Sequence, residues 1–229
     1  QRLETSCSPR VARIDLDDSI EGMAESILAT APQQFALAGH SLGGIVCLEI
    51  MRRAPQRVTR LALMNTSARP ATESQLEEWS ELAELLDRAD FDLVTARQAD
   101  NALAADRRSE PALRKLVDEM GRSVGVAALR RQLAAQRDRP DSRPALPGVS
   151  CPTVVIAGAD DAVSPVALQE EIAGSVPGAR LVVVAGCGHM SPIEQPERVA
   201  DCLRSWLGPD ASEAREASTE SLGAPGRHG

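Results

Sequence analysis

The stretch Gly39-His40-Ser41-Leu42-Gly43-Gly44 decides how this chain is read. Before it, Gln34 to Ala38 is short and mostly apolar, as a buried parallel strand is. After it, Ile45 to Arg53 has a helical pattern that Pro55 closes. A Gly-x-Ser-x-Gly pattern between strand and helix holds the serine on a tight turn in a strained backbone conformation. Side chains at the flanking positions are expected to clash with neighbouring backbone, which calls for glycine on both sides. The same turn sets the Leu42 amide at the helix N-terminus, where the dipole is positive and a developing oxyanion is stabilised.

A nucleophile at Ser41 needs a base and an acid, and reactive groups of open α/β sheets gather at the carboxyl ends of the strands. Thr153 to Ala157 reads as a strand, with Gly158-Ala159-Asp160-Asp161 at its C-terminal end. Leu181 to Val184 reads as another and leads into Gly186-Cys187-Gly188-His189. The chain has only three histidines, so the base is found almost by elimination. His228 falls in a polar tail. His40 flanks the sharp turn and is expected to point away from Ser41, packing or hydrogen-bonding locally. His189 remains, as the group that takes the Ser41 proton while an aspartate fixes its tautomer and stabilises the imidazolium. By spacing alone Asp160 and Asp161 both qualify, the other serving to cap the loop.

The remaining pattern supplies the frame. Arg10 to Leu16, with Val11, Ile14 and Leu16 among polar residues, is expected to be a strand, and Asp17-Asp18-Ser19 caps a helix carrying Ile20, Met23, Ala24, Ile27 and Leu28. Val58 to Met64 reads as a further buried strand. From Pro70 to about Pro147 strand patterns vanish. Three helices are expected there: Glu73 to Asp87, one beginning near Pro111, and Val126 to Gln136. Helices are also expected near Val166 to Ala173 and from Pro196 to Leu207. The β/α alternation predicts an α/β fold, a mostly parallel sheet flanked by helices with a helical insertion. The expected divisions are a first core part at 1–69, the insertion at 70–147, a second core part at 148–208, and a disordered tail at 209–229 that lacks any apolar period.

Composition narrows the function. In 229 residues, 43% are hydrophobic and 25% charged, which suits a globular protein and excludes a wholly disordered one. A net charge of −8 argues against non-specific binding to nucleic acid or anionic membranes. Aromatics at 2%, with no Tyr, leave too few rings for single-strand stacking. Lys115 is the single lysine, so the cations are nearly all arginine. No apolar run approaches the ~18 residues of a membrane span, and no apolar signal region follows Gln1-Arg2-Leu3-Glu4. Cys7, Cys47, Cys151, Cys187 and Cys202 are widely spaced and suggest no zinc site. They are expected to be buried, reduced thiols in a cytoplasmic protein.

Taken together, these segments resemble the α/β-hydrolase superfamily, in the branch with a helical lid between its sixth and seventh strands. The resemblance runs from about Val11 to Leu207. It rests on Gly39 to Gly44, on Gly158-Ala159-Asp160-Asp161-Ala162-Val163-Ser164-Pro165, and on Gly188-His189-Met190-Ser191-Pro192-Ile193-Glu194-Gln195-Pro196-Glu197. The family pattern Gly-x-x-Asp-x-x-x-Pro places its acid on Asp161. The resemblance implies a Ser41, His189 and Asp161 triad, an oxyanion donor at the Leu42 amide, no metal and no organic cofactor. It implies hydrolysis of an ester, thioester or lactone of a small, largely apolar substrate. Carbon–carbon bond hydrolases and cofactor-free perhydrolases share that triad, and a non-catalytic binding protein of the same fold is the alternative from another class. A dehalogenase would have Asp in place of Ser41. The insertion would be the lid, with Trp79, Leu82 and Leu86 lining a pocket or packing its helices. In this family the chain before the fourth strand holds three strands and a loop that donates the second oxyanion amide. Arg10 to Leu16 matches the fourth strand, so the expectation is a fragment or a truncated chain with a gap at the sheet centre.

Overall fold

Four apolar stretches pair into one all-parallel sheet in the computed structural model, which describes residues 7–208. They are β1 (Phe35–His40), β2 (Val58–Met64), β3 (Thr153–Gly158) and β4 (Arg180–Val184), lying side by side in that order. The helices, in chain order, are α1 (Ile20–Thr30), α2 (Leu42–Arg53), α3 (Glu73–Asp87), α4 (Phe91–Ala102), α5 (Pro111–Val124), α6 (Val126–Arg137), α7 (Val166–Ser175), α8 (Ser191–Glu194) and α9 (Pro196–Leu207).

The period-2 alternation of β2 and β3 feeds two cores, one on each face of the sheet. Leu61, Leu63 and Val155 pack with Ile20 and Met23 of α1, Ile45, Val46 and Ile50 of α2, and Ile172 of α7. Ala62, Met64, Val154 and Ile156 pack instead with Val199, Leu203 and Trp206 of α9. Ser19 caps α1, its hydroxyl accepting from the Gly22 amide at 3.1 Å. All four strands thus end at one edge, where the loops after β1, β3 and β4 carry Ser41, Asp161 and His189.

Between β2 and β3 the described chain is helical. Thr72 and Gln75 form a reciprocal capping box at the start of α3, with the Thr72 hydroxyl accepting from the Gln75 amide at 3.3 Å. Trp79, Leu82 and Leu86 of α3, Val94 of α4, and Leu129 and Leu133 of α6 make a separate apolar core. Ala99, Leu103 and Val117 make another, packed against Met190 and Ile193 in the stretch after β4. That contact fastens the insertion to the rest of the fold.

Several expectations are corrected. Arg10 to Leu16 forms no strand. Two of its carbonyls accept from side chains of α6, with Arg131 Nε donating to Asp15 O at 2.9 Å and Gln132 Nε2 to Ile14 O at 3.3 Å, and Val11 is 97% exposed. A strand needs a ladder partner, and this segment has side-chain donors instead. With no strand at Arg10 to Leu16, the described sheet begins at β1 and runs from there to β4. The insertion holds four helices where three were expected, α4 being the addition. The second helix begins at Leu42, directly after Ser41, not at Ile45. Cys47 and Cys187 are buried, but Cys7, Cys151 and Cys202 are only partly so. Among the described residues, no helix is long and apolar enough to cross a membrane. The expected tail at 209–229, with His228, lies outside the described residues.

Candidate active site

A single residue, Ser41, separates β1 from α2, so the whole change of direction falls on it. Ser41 adopts φ 52° and ψ −119°, a conformation that residues bearing a Cβ rarely occupy. The turn is pinned to the end of β2. Ser41 N donates to Met64 O at 2.9 Å, and Thr66 Oγ1 donates to Ser41 O at 2.8 Å. A Cβ on Gly39 would sit 2.3 Å from Gly43 O and 2.5 Å from Cys47 Sγ, so that position has no room for a side chain. A Cβ on Gly43 would meet nothing within 4 Å. The expectation of a steric need on both sides is therefore corrected. The second close approach falls one residue later, at Gly44, where a Cβ would lie 2.6 Å from Thr66 Cβ. Leu42 is the first residue of α2, and its amide is among the helix-start N–H groups that no intrahelical carbonyl can satisfy.

His189 follows β4 and is held by its own backbone, its amide donating to Ala102 O at 2.9 Å. Its ring lies between the other two candidates. His189 Nδ1 is 3.0 Å from Asp161 Oδ2, and His189 Nε2 is 2.8 Å from Ser41 Oγ. An ionised carboxylate can only accept, so Nδ1 carries the hydrogen and donates to it. The Nε2 lone pair is then free to accept from the Ser41 hydroxyl. His189 is 6% exposed, and its bond with Asp161 is buried while that with Ser41 is only partly so.

Asp161 is saturated on both oxygens. Oδ1 accepts from the Val163 and Ser164 amides, each at 2.8 Å, and Oδ2 accepts from Asn65 Nδ2 at 2.8 Å as well as from His189. Burial pushes its pKa up. The hydrogen bond and charge of His189, the Ser164 amide and Asn65 outweigh that and hold it below the usual carboxylate value. Asp160, the competitor by spacing, is exposed, and its amide donates to Cys187 O at 3.0 Å. It takes no part in the cluster.

His40 does hydrogen-bond locally, with a partner the sequence does not reveal. Its Nε2 donates to the carbonyl of His189 at 2.7 Å, and the two rings stand 5.1 Å apart. Burial, followed by the neighbouring His189, pushes its pKa down to about 4, so it is a neutral donor at pH 7. The sequence assigns no role to two further supports, Asn65 lying outside the motifs and Glu194 inside the stretch Gly188 to Glu197. Asn65 follows β2 at φ 47°, fully buried, giving Nδ2 to Asp161 and accepting from Ser191 Oγ at 2.5 Å. Glu194, 4% exposed, accepts from the Gly188 and Ala104 amides at 3.0 Å each and so ties the His189 loop to the end of α4.

Ser41, His40 and His189 open onto a cavity of about 650 Å³, which Trp79, Leu82 and Arg139 of the helical insertion also line. Trp79 and Leu82 thus both line the cavity and pack the helices, whereas Leu86 only packs. Among the described residues, no group of three or more His, Cys, Asp or Glu side chains is placed to hold a metal ion. What the arrangement can do chemically is withdraw a proton from the Ser41 hydroxyl into a buried, carboxylate-backed imidazole beside a helix N-terminus.

The sequence profile of the Alpha/beta hydrolase family matches residues 5–202. The chain is 31% identical to the pimeloyl-(acyl-carrier protein) methyl ester esterase of Aromatoleum aromaticum, over 80% of this chain and 77% of that protein. It is 28% identical to the 2-hydroxymuconate semialdehyde hydrolase of a Pseudomonas species, over 87% of this chain and 71% of that one. Among solved structures, a thermophilic esterase from Thermogutta terrifontis with malate bound superposes with a TM-score of 0.76 at 29% identity. That match covers 88% of this chain and 74% of the esterase.

Proposed function

The chain belongs to the alpha/beta hydrolase family, and from that membership we propose that it is a serine hydrolase cleaving an ester, thioester or lactone of a small substrate. Ser41 Oγ attacks the carbonyl carbon as its proton passes to His189 Nε2, and Asp161 stabilises the imidazolium. The Leu42 amide donates to the oxyanion of the tetrahedral intermediate. Collapse breaks the bond to the leaving oxygen or sulfur, which takes the proton from His189, and leaves an acyl group on Ser41. A water then gives its proton to His189 and attacks the acyl carbon. The bond to Ser41 breaks, Ser41 regains the proton, and a carboxylic acid departs. The insertion, 70–147, is the lid that roofs the cavity over Ser41.

One observation carries this reading: the 2.8 Å contact of His189 Nε2 with a serine held at φ 52°, backed by Asp161 at 3.0 Å. The esterases and hydrolases among the relatives support the reaction class. Hydrolysis of short-chain p-nitrophenyl esters by wild type and Ser41→Ala tests it. The expected result is a loss of at least ~10³-fold in kcat for Ser41→Ala. Equal rates from the two proteins would remove Ser41 as the nucleophile.

A further inference from the structure

Among the described residues that line the cavity over Ser41, Arg139 is the one Lys or Arg, and it is unusually placed for a cation. It is 6% exposed, yet no carboxylate among the described residues lies within ion-pair distance. Its neighbours are neutral. Nε donates to Arg69 O at 2.9 Å, and Nη2 donates to Gln75 Oε1 at 2.7 Å and to Pro70 O at 3.3 Å. Its guanidinium carbon stands 5.3 Å from the centre of the Trp79 ring. Among the described residues Nη1 has no acceptor, yet it is not one of the sealed, unsatisfied polar atoms. Nη1 is therefore reached by solvent, and Arg139 is among the residues that line the cavity. Burial pushes the Arg139 pKa down to about 10, which leaves the group charged at neutral pH.

A buried charge without a counter-ion is costly, and an incoming anion relieves that cost. The guanidinium also presents a planar fork suited to a carboxylate. The opposing charge is modest: Glu78, the one carboxylate among the described residues lining the cavity, is exposed and accepts from Asn101 Nδ2 at 3.1 Å. We propose that Arg139 is a specificity-determining residue that binds a carboxylate carried by the substrate, so that the preferred substrate is an anionic ester or lactone. The substrate is then not apolar throughout. This rests on the serine-hydrolase reading for its reaction, but not for its binding step.

Two measurements keep those apart. In the first, kcat/KM is compared for mono-p-nitrophenyl glutarate, which carries a free carboxylate, and p-nitrophenyl pentanoate, its neutral counterpart of equal chain length. Wild type is expected to favour the anionic ester roughly tenfold or more, the scale of one charged hydrogen bond. Arg139→Gln is expected to bring the ratio close to one. Gln75→Glu keeps the capping box while placing a carboxylate beside Arg139, and it is expected to do the same in a folded protein. A purely structural Arg139 would lower both rates alike and leave the ratio unchanged, which overturns the proposal, as does a wild-type preference for the neutral ester. In the second, glutarate is titrated into Ser41→Ala by calorimetry, with no catalysis involved. Binding that Gln75→Glu weakens at least tenfold supports the anion site even if no ester is hydrolysed. Absence of glutarate binding overturns the site and leaves the hydrolase reading untouched.

Discussion

Asn65→Ala is the substitution whose cost the structure allows to be worked through. Asn65 is fully buried and its side chain makes three hydrogen bonds: Nδ2 to Asp161 Oδ2 at 2.8 Å, Nδ2 to Gly188 O at 3.3 Å, and Oδ1 from Ser191 Oγ at 2.5 Å. A hydrogen bond to a charged acceptor contributes about 1.5–3 kcal/mol, and leaving the buried Ser191 hydroxyl without an acceptor costs about 1–3 kcal/mol. The left-handed backbone at φ 47° adds about 1 kcal/mol, because alanine lacks the side chain that lets asparagine tolerate it. These terms share one network and do not add fully. A loss of about 3–5 kcal/mol is expected, out of a total that is about 5–15 kcal/mol for most domains. Urea unfolding followed by circular dichroism measures it. In protein that remains folded, Asp161 Oδ2 keeps His189 as its only side-chain donor, so ester kcat is expected to fall about tenfold with KM little changed. A loss below about 1 kcal/mol together with wild-type kcat would refute the view that Asn65 holds the acid in place.

Two further outcomes follow from particular positions. Gly39→Ala is expected to destabilise by about 2 kcal/mol or more, since its Cβ would overlap Gly43 O at 2.3 Å. Gly43→Ala should be neutral or gain up to about 1 kcal/mol, since its Cβ meets nothing and alanine favours the helix; thermal melts of the two variants compare them directly. Acid should destabilise the fold through Asp161 and Glu49. Burial pushes the Glu49 pKa up, but bonds from Arg52 (2.8 and 2.7 Å) and Arg53 outweigh it and hold the pKa below its usual value. A depressed folded pKa contributes stability that is present above the unfolded value near 4 and is lost as pH falls through the folded one. Urea midpoints should therefore decline below about pH 4, less steeply for Asp161→Asn. A midpoint independent of pH from 6 down to about 3 would contradict this.

How much of this was legible in the sequence depends on what each element needs from afar. β2 and β3 are apolar on both faces, so local pattern alone identifies them, and the glycine-rich loops after β3 and β4 direct attention to Asp161 and His189. The structure brings those two side chains and Ser41 within hydrogen-bonding distance. Helix α4 escaped because its buried residues are Val94, Thr95 and Ala99, too few and too small to make an apolar stripe. Arg10 to Leu16 misled because a strand-like pattern carries no information about whether a ladder partner is at hand. Asn65 is a single polar residue 96 positions from Asp161, and only the crossover from β2 to β3 sets it beside the carboxylate. His40 and Arg139 have the same character: their chemistry lies in what surrounds them, the His189 carbonyl for one and the absence of any carboxylate within ion-pair distance, among the described residues, for the other.

The central claim is that Ser41 is a nucleophile activated by His189. Treatment of the folded protein with a fluorophosphonate, followed by peptide mass spectrometry, tests it without knowledge of the substrate. One adduct on Ser41 in the wild type, lost in Ser41→Ala and strongly slowed in His189→Ala, is the predicted result. A folded wild-type protein that carries no adduct on Ser41, or that labels equally fast without His189, would contradict it.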